Sequence, residues 1–106
     1  RDELSDKLIA AGVAVHDVTA YSTEFTPITI TYSYNGIVFF SPSAVESFLS
    51  LNSLAQVPCF CIGKTTGDYA LRKGYKDVHI AEAASEDFLI KTITEYYKKY
   101  PLHVKE

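Results

Sequence analysis

Apolar positions along the chain alternate between a period of two and a period near 3.6, the pattern of strands followed by helices. Leu4, Leu8 and Ile9 recur at helical spacing, and Gly12 stands where a helix needs a left-handed terminator, so residues 2–11 are predicted helical. Val13, Val15, Val18 and Ala20 lie among β-forming residues up to Tyr21 and Thr23, which predicts a strand over residues 13–22. Ile28, Ile30, Tyr32 and Tyr34 alternate with Thr29, Thr31 and Ser33, the period of a half-exposed strand. The Asn35-Gly36 dipeptide that follows fits a type I′ hairpin turn into a strand over residues 36–40; the competing reading is an irregular lead-in to a buried strand.

From Ile37 the pattern repeats three times as strand, turn and helix. The run Ile37-Val38-Phe39-Phe40 is broken by Ser41-Pro42-Ser43 and followed by Val45, Phe48 and Leu49 at helical spacing. Pro42 suits the first helical position with Ser41 as cap, while Ser43 with Glu46 offers an alternative capping box. A second apolar run over residues 58–62 leads through Gly63-Lys64-Thr65-Thr66 into a short helix carrying Tyr69, Ala70 and Leu71 and closed by Gly74. A third strand is expected around residues 78–81. Ser85 then caps a helix with Glu86 and Asp87 in its first turn, Leu89, Ile93, Tyr96 and Tyr97 on its buried side, and Lys98, Lys99 and Pro101 at its end.

Short connections between alternating strands and helices imply a parallel sheet with right-handed crossovers, an α/β fold. Ligands of such sheets sit beyond the carboxyl ends of the strands, where all three hydroxyl-bearing turns fall.

At 106 residues and 47% hydrophobic content the chain has the size and core of one domain. Its longest apolar runs are far shorter than the roughly 20 residues a membrane span requires. The N-terminus shows no targeting pattern, so a cytoplasmic protein is expected. The chain opens at Arg1 and contains no Met, so a piece of something longer is expected. A net charge of -3 and a pI near 5.6 argue against non-specific nucleic-acid binding. Cys59 and Cys61 are read as reduced core residues whose side chains point to opposite faces of their strand. His16, His79 and His103 have no partner at ligand spacing, so no metal is assigned. Tyr96, Tyr97 and Tyr100 are expected to pack the last helix on the sheet with their phenol tips in water.

The turns carry the candidate chemistry. A helix start leaves backbone N–H groups unpaired and carries about half a positive charge, which stabilises a carboxylate or phosphate placed there. Ser41, Ser43, Thr65 and Thr66 would add hydroxyl donors and Lys64 a cation; taken singly, each hydroxyl is also explained by capping alone. Gly63-Lys64-Thr65 is like the tail of a phosphate-binding loop, but Pro58 holds the position of that loop's first glycine, which excludes a nucleoside triphosphatase. There is no Gly-x-Gly-x-x-Gly run, no nucleophile elbow at Ser41, and no aspartate at the end of the strand before it for phosphoryl acceptance.

Tyr21-Ser22-Thr23, Phe39-Phe40-Ser41-Pro42-Ser43-Ala44-Val45 and Ile62-Gly63-Lys64-Thr65-Thr66 resemble, in order and spacing, the uroporphyrinogen-III synthases. The resemblance implies an enzyme that closes the linear tetrapyrrole hydroxymethylbilane into uroporphyrinogen III, inverting the last pyrrole ring and releasing water without a metal or organic cofactor. It implies that Tyr21 assists departure of the hydroxymethyl hydroxyl. Ser41, Ser43, Thr65 and Thr66 would hold substrate carboxylates, and Lys64 would add charge from the rim. Gly67 stands where alanine is frequent in the family, a departure expected to loosen the helix start.

The fold implied is a parallel-stranded, flavodoxin-like three-layer domain, here an incomplete fragment of a two-domain enzyme whose substrate lies between the domains. Residues 1–12 would be a helix belonging to the other domain, residues 13–24 a linker strand, and residues 25–106 the C-terminal part of an α/β domain. A fragment of this kind is expected to be weakly active or inactive, and to dimerise or swap through its uncovered sheet. The alternative is a non-catalytic flavodoxin-like module that binds an anion or a partner through the same turns and needs no role for Tyr21.

Overall fold

Ile37, Val38 and Phe39 are wholly buried, as a strand covered on both faces must be. They belong to β2, Gly36–Phe39, flanked by β1, Val18–Tyr21, and β3, Cys59–Cys61, with β4, Val78–Ile80, beyond β3. Every pairing is parallel, and Tyr21, Phe39, Cys61 and Ile80 stand in one register row across the sheet. The computed structural model describes residues 18–21, 29–30 and 34–101, and for residues 18–21 the backbone alone. The predicted helix over residues 2–11, His16 and His103 lie outside these residues.

Three helices, α1 (Pro42–Leu51), α2 (Lys64–Lys73) and α3 (Glu86–Lys99), follow β2, β3 and β4. Strands β2, β3 and β4 step across the sheet in one direction, so crossovers of one hand place α1 and α2 on the same face. There Ala44, Val45, Phe48 and Ala70 close over Ile37, Phe39, Cys59, Cys61 and Tyr75. After β4, α3 returns over the other face, where Leu89, Ile93 and Tyr97 cover Val38 and Phe60. The result is the expected three-layer α/β arrangement.

Local chemistry accounts for the helix ends. Ser41 caps α1, its hydroxyl accepting from the Ala44 N–H at 3.1 Å with Pro42 at the first helical position. Ser85 caps α3 in the same way through the Phe88 N–H. Gly74 ends α2 in the left-handed region at φ 118°, with its own N–H and that of Tyr75 returning to carbonyls of the last turn. Ser43 and Glu46 do not form the alternative capping box, since Glu46 instead accepts from the Tyr69 hydroxyl on α2.

Two expectations are corrected. The Asn35-Gly36 hairpin is absent, because a type I′ turn needs positive φ at both residues and Gly74 alone among the described residues has it. Gly36 instead starts a buried parallel strand, and the lead-in reading is the right one. Thr29, Ile30 and Tyr34 carry no strand assignment, while residues 28 and 31–33 lie outside the described residues. Cys59 and Cys61 do not point to opposite faces. Side chains two apart on a strand share a face, and the sulfurs lie 3.7 Å apart as free thiols in the core beneath α1 and α2.

The aromatic cluster on α3 is partly as expected. Tyr97 packs on Phe60 and donates its hydroxyl to the Asn35 carbonyl at 3.0 Å. Tyr96 reaches Asp77, which is hydrogen-bonded to His79 at 2.7 Å; the two-residue spacing at the start of β4 puts Asp77 and His79 on one face. No helix among the described residues is long and apolar enough to cross a membrane.

Candidate functional site

Parallel pairing sends every strand in the same direction, so the ends of β1, β2, β3 and β4 and the N-termini of all three helices line one edge of the sheet. Tyr21 is the last residue of β1, in register with Phe39, two residues before Ser41. The turn at Gly63 follows β3 on the far side of β2. The fold therefore sets the Ser41-Pro42-Ser43 turn between Tyr21 and Gly63-Lys64-Thr65-Thr66, as neighbours along one edge.

The three helix starts are not equivalent. At α1 the Ser41 hydroxyl takes the Ala44 N–H, Pro42 has no N–H to offer, and Ser41 and Ser43 hydroxyls lie 3.2 Å apart. At α3 the Ser85 cap is joined by Glu86 and Asp87, whose charges complement the helix dipole. At α2 there is neither: the N-cap is Gly63, no side chain caps the helix, and no acidic residue stands in its first turn. The first intrahelical bond is made by the Gly67 N–H to the Gly63 carbonyl, so the N–H groups of Lys64, Thr65 and Thr66 precede the helical ladder.

Gly63 adds a second observation at the same place. Its backbone is extended, at φ -157°, a conformation any residue adopts. A Cβ built there would meet nothing nearer than the Ala84 Cβ at 3.9 Å. Among the described residues neither backbone conformation nor packing calls for glycine here, and its bare backbone leaves room for a ligand to approach the α2 start closely.

The side chains around it differ in availability. Thr65 is exposed, whereas Thr66 is 4% exposed, so Thr66 presents no free hydroxyl at the surface. Lys64 is 82% exposed and donates to Asp68 one turn on, at 2.8 Å. That hydrogen bond, and then the carboxylate's charge, raise the Lys64 pKa. The spacing of Lys64 and Asp68 is the ordinary helical i,i+4 relation, a signal present in the sequence that the turn-centred reading passed over. Chemically, the edge can hold an anion at α2 by main-chain N–H groups, the Thr65 hydroxyl and Lys64.

A protein-family model described as uroporphyrinogen-III synthase HemD matches residues 1–91. No curated protein and no solved structure matches the chain significantly.

Proposed function

The chain belongs to the uroporphyrinogen-III synthase family, and from that premise we propose that it forms one wall of a site that cyclises hydroxymethylbilane to uroporphyrinogen III. The reaction inverts the last pyrrole ring and expels the hydroxymethyl oxygen as water, in tetrapyrrole biosynthesis. The observation that carries the reading is the start of α2: among the three helix N-termini on this edge it is the one with neither a side-chain cap nor an acidic first turn, and it is fronted by an unfilled glycine.

In this reading a substrate carboxylate takes the N–H groups of Lys64, Thr65 and Thr66 and the Thr65 hydroxyl, in the way anions settle at helix starts. Lys64 exchanges Asp68 for the same carboxylate. Ser41 and Ser43 receive a second acidic arm beside β2, and anchoring two arms holds the chain ends of a flexible substrate near each other. Tyr21, at the end of β1, protonates the departing hydroxyl directly or through a water. The product retains every carboxylate, so these anchors orient the reaction and take no part in its proton balance. The opposing wall comes from outside these residues, and the 106-residue chain alone is weakly active or inactive.

The test is ring closure of hydroxymethylbilane by the protein expressed with its native upstream sequence, with the type III isomer separated from the type I isomer that forms spontaneously. Formation of type I alone would refute the enzyme reading. Tyr21→Phe should lower turnover with little change in substrate affinity, while Thr65→Val should weaken affinity. A non-catalytic anion-binding module would share the α2 site and be indifferent to Tyr21→Phe.

A further inference from the structure

Among the described residues β4 is an edge of the sheet, and its bonding identifies the backbone groups it leaves over. The Cys59 N–H donates to the Asp77 carbonyl at 2.8 Å, and the Ala81 N–H to the Cys61 carbonyl at 3.0 Å. Alternate residues of a paired strand face its partner. Asp77, His79 and Ala81 therefore turn their backbone groups toward β3, and Val78 and Ile80 turn theirs outward. Among the described residues no hydrogen bond reaches Val78 or Ile80 from that side.

A groove of about 240 Å³ runs beside this edge, lined by Ile80, Glu82, Phe88, Lys91, Thr92 and Glu95. Ile80 and Phe88 are 37% and 38% exposed, large apolar side chains left open at one place. Glu82, Lys91 and Glu95 are exposed and have no ion-pair partner among the described residues.

We propose that this edge pairs with the same edge of a second copy of the chain, antiparallel about a two-fold axis at His79. Val78 of each copy then faces Ile80 of the other, and both symmetry-related pairs exchange N–H···O=C bonds, making one continuous sheet. The apolar side chains of those pairs meet as cross-strand neighbours. Because α3 follows β4 and packs back along the sheet, the two copies of α3 come together antiparallel. Lys91 of each then lies against Glu95 of the other. Opposite charges one helical turn apart make the surface its own complement under a two-fold, which an unrelated partner of one charge sign would not match. The edge lies one strand over from the Gly63 turn, with Gly67 packed on Ile80, but sedimentation reads self-pairing without substrate, so failure of the pairing and failure of the proposed activity are told apart by separate measurements.

Sedimentation velocity of the chain from micromolar to millimolar concentration tests the pairing. A concentration-dependent dimer is expected, weakened about tenfold or more by Lys91→Glu or by Glu95→Lys, since each reversal sets like charges together twice in a symmetric dimer. The combined K91E/E95K chain should recover the dimer, because the exchanged charges again meet their opposites. Both positions are exposed, and circular dichroism checks that the fold is kept. A chain that remains monomeric throughout, including one that binds unrelated extended peptides along β4, overturns the proposal. So does a dimer indifferent to the single reversals, or one that the double exchange fails to restore.

Discussion

Replacing Gly67 with alanine sets two opposing effects against each other. Gly67 lies in the first turns of α2 and is buried. In an open helix Gly→Ala is worth about 1 kcal/mol of stability. Here an added Cβ would collide with Cγ1 and Cδ1 of Ile80 and touch Val78 at 3.6 Å. Forcing extra volume into such a contact costs about 1 to 3 kcal/mol, so G67A should be net destabilising by up to about 2 kcal/mol, or several degrees in Tm. Removing the obstruction reverses the sign. Ile80→Ala costs about 1 to 2 kcal/mol by itself, below the range for a fully buried isoleucine because Ile80 is partly exposed. In that background G67A should stabilise by about 1 kcal/mol. Urea denaturation of all four proteins closes the cycle. If G67A is stabilising with Ile80 present, Ile80 does not occupy the space above Gly67 and the account of this contact is wrong. Beside the expectation that Gly67 loosens the helix start stands a packing role: the glycine lets β4 dock under α2.

Tyr75 is 2% exposed and its hydroxyl has no partner among the described residues, so Tyr75→Phe should be neutral or stabilise by about 1 kcal/mol in thermal melts. Burial raises the Tyr75 pKa, and the hydrogen bond with Cys61 followed by burial raises that of Cys59. Both groups are held neutral in the folded chain while the unfolded chain ionises at ordinary values, about 10 and 8.5. Stability from this source is complete below those values and falls as pH rises beyond them. Tyr75→Phe should flatten the fall above about pH 10, and a melt series that shows no such flattening counts against the burial account. Gly74→Ala forces a side chain into φ 118° and should cost about 1 kcal/mol or more by the same melts. Ser85→Ala should cost about 1 kcal/mol through the lost cap of α3, read by urea denaturation.

What could be read from the sequence is what local chemistry decides. Ser41-Pro42, Ser85 with Glu86 and Asp87, and Gly74 all mark helix ends whose side-chain or glycine geometry is set within a few residues, and each lies where it was expected. Asn35-Gly36 carries an equally strong local turn signal, but the pairing of Gly36 with Val18 on one side and the approach of Tyr97 on the other hold it in a strand instead. Tertiary pairing outweighs a two-residue preference. The site was legible only as a set of turns. That Ser41 is occupied as a cap, that Thr66 is enclosed, and that α2 alone is left uncapped depend on side-chain placement that spacing does not encode.

The shared register of Tyr21, Phe39 and Cys61 turns the sheet edge into a ruler. Neighbouring strands lie about 4.8 Å apart, so the ends of β1 and β3 are separated by about 10 Å with β2 between them. A single acetate or phosphate cannot bridge that span; a molecule that engages both ends must carry its functional groups about 10 Å apart. On the proposed reading, ligands of graded length with a carboxylate at one end for the α2 start and a hydrogen-bond acceptor at the other for Tyr21 would act as calipers for this surface. Their affinity should peak when the spacer spans the two strand spacings.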